Sequence, residues 1–205
     1  MERIKSYYQD FNVFANEDHW DDHTREIVRK RLEPTGSLQK LTGEQVDMLR
    51  NIASLLLDDG RSSLLDWVIK HIDNKLQSDI GEAQRKVGVP PFATLLKGGL
   101  YALNELAQGE NGSPFTALTP EQQTSLLVAL ENNTVTLTAE DGQPIPPKDF
   151  FNNLLSEVVS AHYSHPQVWS EIGYAGPAYP RGYVRLEVGL SDPWEARMSK
   201  EGPER

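Results

Sequence analysis

The stretch His19-Trp-Asp-Asp-His23 is the first place in this 205-residue sequence where residue type and spacing could do chemistry. Histidines four apart share a helix face, and imidazole nitrogens on one face can hold a metal ion. A second close pair, His162 and His165, raises the candidate ligands to four of the five histidines. The zincin helix pattern needs glutamate directly after the first histidine, and Trp20 stands there instead. The competing reading is a helix start with acids in its first turn, plus a histidine packed under a later helix. The expectation is no metal site, with His19, His23, His162 and His165 as the residues on which a metal would depend.

Other chemistry has less support. No G-x-S-x-G elbow occurs, and no serine sits in a recognisable triad motif. The acid pairs Asp21-Asp22, Asp58-Asp59 and Glu140-Asp141 are neighbours in sequence at helix starts or turns. General acid–base work needs carboxylates facing each other across a cleft. There is no G-x-G-x-x-G, no Walker loop and no C-x-x-C-H, so no cofactor motif is expected in this chain. No catalytic residue is expected.

A formal charge of −10 disfavours nucleic acid and anionic membrane surfaces as partners. Arg25, Arg29, Lys30 and Arg31 could form a local basic patch, but they read better as a solvated helix end whose dipole favours cations. The absence of cysteine removes disulfides and thiolate chemistry. No apolar run approaches the roughly 20 residues of a membrane helix, so no insertion is expected. The first twenty residues carry neither an apolar signal core nor a twin-arginine pair, and as written the chain is expected to be cytoplasmic.

Around these residues the periodicity predicts a mainly α protein of about six helices in one domain spanning 1–205. Residues 1–16 form an N-terminal arm and 163–205 an irregular aromatic tail. A first helix over about 17–32 stops before Pro34. Thr42-Gly-Glu-Gln45 and Thr119-Pro-Glu-Gln122 both have capping-box form, and each opens a leucine-rich helix. Asp58-Asp59-Gly60 marks a turn before a helix carrying Leu64, Leu65, Val68, Ile69 and Ile72 on one face. Gly98-Gly99 lies inside another helix at a cost on the order of 1 kcal/mol per glycine, which implies close approach of another backbone. Strand-like pattern is confined to Thr134–Thr138, a short hairpin near 132–142 at most, and the last helix carries Phe150 to His162.

The tail is the unusual segment. Tyr163, Trp169, Tyr174, Tyr179, Tyr183 and Trp194 alternate with prolines and glycines, too much proline for a helix and too many rings for a linker. Tyr and Arg of this kind suit an interface, since they bury much area at little rotamer cost. Tyr163 and Trp169 are expected in the core. Tyr174, Tyr179, Arg181, Tyr183, Arg185 and Trp194 are the candidate partner interface. Such rings can also stack on sugars.

The run Tyr163-x-His165-Pro166-x-x-Trp169-x-Glu171-Ile172-Gly173-Tyr174-x-Gly176-Pro177-x-x-Pro180-x-Gly182-Tyr183 resembles the C-terminal signature of the gluconate 2-dehydrogenase subunit 3 family. Ile72-Asp73, Gly98-Gly99-Leu100, Pro114-Phe115-x-x-Leu118-Thr119-x-x-Gln122-Gln123 and Phe150-Phe151 fit the same layout, so the resemblance covers roughly 40–195. It implies a non-catalytic accessory subunit that binds and stabilises a larger FAD-dependent sugar or polyol dehydrogenase of the glucose–methanol–choline type. FAD would sit in that partner, and a cytochrome c subunit often takes the electrons onward. The small subunit often carries a twin-arginine signal; without one here, a periplasmic complex would need a signal-bearing partner. Two alternatives of other classes are a stand-alone metal-dependent enzyme using the paired histidines and a free carbohydrate-binding domain.

Overall fold

A computed structural model describes residues 6–32, 36–78, 82, 85–185, 187 and 189–198. Parts of the anticipated arm (1–5) and tail (199–205), Pro34 and part of the polar stretch at 81–88 lie outside these residues. The described chain is mainly helical, with one two-stranded antiparallel sheet, as its periodicity predicts. Its contacts fall into two compact units, Ser37–Ala161 and Met1–Gly36 with His162–Arg205.

The first unit holds α2 (Gly43–Leu57), α3 (Ser62–Lys75), α4 (Phe92–Asn111), α5 (Pro120–Glu131) and most of α6 (Pro147–Tyr163). Both expected capping boxes are present. Thr42 Oγ1 accepts from Gln45 N and Gln45 Oε1 from Thr42 N, and Thr119 and Gln122 repeat the exchange. Each box satisfies two backbone donors that a helix start leaves open. Asp58 stops α2 in the left-handed conformation at φ 49°. The apolar faces converge on one core that includes Leu49, Ile52, Leu96, Leu103, Phe115, Leu130 and Phe150, all essentially inaccessible. Each such burial contributes about 1.5–3 kcal/mol.

The helical glycines differ from expectation. What closes on them is side chain, not backbone. A Cβ on Gly99 would stand 2.3 Å from the Phe150 ring, and one on Gly98 would stand 2.8 Å from Ile145 Cδ1. Ile145 belongs to the hairpin, whose strands Leu137–Thr138 and Pro144–Ile145 pair with Leu137 opposite Ile145. The hairpin thus reaches beyond the expected 132–142 because its second strand is what covers Gly98.

Two carboxylates tie this unit together over long sequence distances. Buried Asp73 accepts from the backbone N–H groups of Gln39, Lys40 and Leu41 at 2.8–3.1 Å, and from Gln77 Nε2 at 3.2 Å. Burial alone would raise its pKa, but those N–H groups and Lys70 more than offset that and hold it below the usual aspartate value. Glu157 on α6 accepts from Lys75 and faces His71 Nε2 at 3.7 Å, both on α3. Its burial is likewise outweighed by these two partners, and its pKa is lowered.

The second unit opens with a 3₁₀ helix, Val13–His19, capped by Asn12, and continues into α1 (Asp22–Arg29), capped by Asp21 accepting from Thr24 N at 2.8 Å. The single helix expected over 17–32 is therefore two pieces. Trp20 sits at the break in extended conformation because Asp21 starts a new helix behind it. The expected tail likewise opens with a further helix, α7 (Pro166–Ile172), with proline at its first position. Val13, Trp20, Val28 and Trp169 form the small core of this unit.

Candidate functional site

The four candidate histidines and the six candidate interface residues fall in the second unit, whereas the acid pairs Asp58-Asp59 and Glu140-Asp141 lie in the first. The four histidines are put to separate uses. His19 and His23 are exposed, and the His19 ring meets Trp194 at a centroid distance of 5.4 Å with the planes tilted by 55°. Buried His162 meets Tyr163 edge-on at 5.2 Å. Buried His165 caps α7, with Nδ1 accepting from Gln167 N at 3.2 Å. Among the described residues no group of three or more His, Cys, Asp or Glu side chains is placed to hold a metal.

The basic residues of α1 do not form an open patch. Arg25 pairs with Asp22 at 2.9 Å, Arg29 with Glu17 at 2.8 Å and Lys30 with Glu26 at 2.6 Å. Arg31 lies over the Trp169 ring at 5.4 Å and donates to Ser164 O at 3.0 Å. No described helix is long and apolar enough to cross a membrane.

The tail is held in place from its start. Gly173 ends α7 at φ +74°, where a Cβ would fall 2.7 Å from the Tyr8 ring. Three residues on, Gly176 at φ +82° leaves room for Trp20, whose Cζ2 would stand 2.6 Å from a Cβ. A side chain at either position would meet both left-handed strain and an aromatic wall. Trp169 is buried as expected, with Nε1 donating to Tyr163 O at 2.6 Å. Tyr163 itself is half exposed rather than buried, because its backbone carbonyl, not its ring, faces Trp169.

Beyond Gly176 the segment is braced by its own side chains. Arg181 Nη2 donates to Ala175 O at 2.6 Å and Gly176 O at 3.3 Å, and its guanidinium lies 5.0 Å from the centre of the Trp194 ring. Burial pulls the Arg181 pKa down, against the opposing influence of Tyr174, Tyr183 and Asp192. Its Nε and Nη1 have no hydrogen-bond partner among the described residues. Buried Asp192 accepts from Val184 N at 3.2 Å and Arg185 N at 2.8 Å, and Arg185 Nη1 donates to Ser191 O at 3.1 Å. Asn16 Nδ2 fastens the far end through Trp194 O at 3.1 Å.

The six candidate interface residues therefore separate into braces and free faces. Trp194 is only 8% exposed, and Arg181 is partly covered beneath it. Tyr179 and Tyr183 are 69% and 70% exposed, Tyr174 is half exposed, and Arg185 is exposed. Asp192 was not anticipated. Its signal was available in Asp192-Pro193, a turn-forming dipeptide seven and eight residues beyond the backbone N–H groups it orders. The arrangement can bind, through rings and cations, on a support that is already folded.

The described chain is thus a helical protein whose aromatic segment is braced by its own side chains. The model of the gluconate 2-dehydrogenase subunit 3 family matches residues 44–176, and the chain belongs to that family. The family implies a subunit of an oxidoreductase complex. The match ends at Gly176, so the braced strip from Tyr179 to Trp194 lies past it. No curated protein and no solved structure matches the chain.

Proposed function

We propose that this chain is a non-catalytic small subunit that binds and stabilises a FAD-dependent sugar or polyol dehydrogenase of the glucose–methanol–choline type. Family membership over 44–176 carries the reading. The flavin and the hydride chemistry belong to the large subunit, and a cytochrome c subunit can accept the electrons. This chain contributes contact area, and Tyr179 and Tyr183 support that role, being large rings held open to solvent on a fixed backbone.

Gentle affinity purification from the native host, followed by an absorbance scan for flavin, tests the proposal. A co-purifying flavoprotein with dye-linked sugar dehydrogenase activity is the expected result. A chain that comes down alone and colourless at low salt overturns it. Fractionating the host before purification assigns the complex to cytoplasm or periplasm.

A further inference from the structure

Three residues on one side of α3 hold both ends of the first unit. Lys70 Nζ donates to Ser37 O at 2.7 Å, and Asp73 accepts from the N–H groups of Gln39, Lys40 and Leu41. At the other end of that unit, Trp67 Nε1 donates to Ala161 O at 2.9 Å. Six helical residues rise about 9 Å, so positions 67, 70 and 73 form one short clamp. The chain enters and leaves the first unit side by side, although the whole unit lies between.

The second unit is built from the two segments that leave this clamp, and neither has a core without the other. Val13, Trp20 and Val28 come from one segment and Trp169 from the other. Hydrogen bonds cross between them from Ser6 Oγ to Glu171 O, from Val13 N to Ser170 Oγ at 3.1 Å, from Asn16 Nδ2 to Trp194 O at 3.1 Å and from Arg31 Nη1 to Ser164 O at 3.0 Å. Among the described residues this core has four buried members, against twenty-seven in the first unit. Apolar burial must offset the entropy of ordering the chain, and the second unit has far less of it to do so. Its two segments also close a loop across the entire first unit, a cost that the α3 clamp meets in advance.

We infer that the second unit opens as one cooperative piece while the first stays folded, and that it recloses readily because Trp67, Lys70 and Asp73 keep the starts of its two segments together. Tyr179 and Tyr183 belong to this unit, so a ligand that binds those rings only in the closed form shifts the equilibrium toward it by mass action. The opening itself needs neither a partner nor flavin, and the proposed function stands or falls separately.

Native-state hydrogen exchange of the full chain, resolved by peptide mass spectrometry, tests this. Peptides from 6–32 and 162–198 are expected to share one opening constant, at least about tenfold larger than that of peptides from 43–161. V13A alters only the first segment, yet is expected to raise exchange about tenfold in both segments and to leave 43–161 unchanged. W67F deletes the bond to Ala161 O while leaving the sequence of both segments intact, and is expected to raise exchange in both several-fold. K70A does the same at Ser37 O and keeps the clamp testable if W67F does not fold. In urea, tryptophan fluorescence is expected to change at lower denaturant than far-UV circular dichroism. Trp20, Trp169 and Trp194 lie in the second unit, whereas most of the helix lies in the first.

One opening constant for all peptides, with coincident fluorescence and dichroism transitions, overturns the inference. Faster exchange in 43–161 than in the two segments does the same. A V13A effect confined to 6–32 makes the segments independent and overturns their cooperativity. Exchange in both segments that neither W67F nor K70A moves overturns the role of the clamp.

Discussion

The ring of Phe150 occupies the space that a side chain on Gly99 would need, with Cδ2 only 2.3 Å from the Cβ position. Gly99 lies midway along α4 and Phe150 in the first turn of α6, so this contact fixes how closely the two helices approach. Glycine in a helix interior costs about 1 kcal/mol of propensity. Here it admits a fully buried aromatic ring, whose burial contributes more than that.

G99A is therefore expected to destabilise the chain by about 1–3 kcal/mol or more, despite alanine's better helix propensity. Pairing it with F150L, which trims the ring, should recover part of the loss. Denaturant unfolding of the two single variants and the double variant measures this coupling. Additive effects would show that the ring does not stand where Gly99 needs it.

Asp73 links stability to acidity. Its folded-state pKa is lowered, so its contribution is fully present above the ordinary carboxylate value near 3.8 and is lost as pH falls through the lower folded value. D73A leaves the N–H groups of Gln39, Lys40 and Leu41 without their acceptor and should cost about 1.5–3 kcal/mol at neutral pH. D73N should flatten the acid limb of the stability curve. A D73N curve parallel to wild type down to strongly acid pH would refute this.

Glu157 acts in the same direction at a higher starting value, near 4.5, because Lys75 and His71 favour its ionised form. Its stabilisation is present above that value and fades below it. E157Q is expected to remove the dependence between pH 5 and the folded pKa, and urea midpoints across that range will show whether it does.

Trp194 holds the strip through Arg181. A cation–π contact of this kind contributes about 1 kcal/mol, so W194A should raise the open population of the segment about fivefold. Trypsin cutting after Arg185 reads that population directly. Far-UV circular dichroism should stay unchanged, and equal cutting rates in both proteins would show that Trp194 is not the brace.

The histidines give a metal prediction. His165 Nδ1 is engaged as a helix cap, and His19 and His23 face solvent. Addition of EDTA is expected to leave Tm unmoved, whereas H165A should cost about 1 kcal/mol through the lost cap. A chelator-induced fall in Tm would restore the metal reading.

Local signals were legible and distant ones were not. Thr42, Gln45, Thr119 and Gln122 announce their helices because the bonds lie within one turn. The apolar faces of α2 to α6 follow from helical periodicity, and together they place the core. The break at Trp20 was missed because tryptophan is a fair helix residue, and only the cap at Asp21 restarts the chain. Asp73 reads as an ordinary acid at a helix end; its role as acceptor depends on N–H donors 32–34 positions earlier. In the tail, aromatic content marked the segment for contact, but only the positions of Arg181 and Asp192 divide its rings into braces and free faces.

The side-chain hydrogen bonds of Arg181, Asp192 and Arg185 within the tail join residues only five to eight positions apart, and the Arg181–Trp194 contact spans thirteen. Its surface is therefore a continuous epitope, written in one short run of sequence rather than assembled from remote parts. An antiserum raised against a peptide spanning 174–195 should recognise the free subunit and lose its target when the partner is seated.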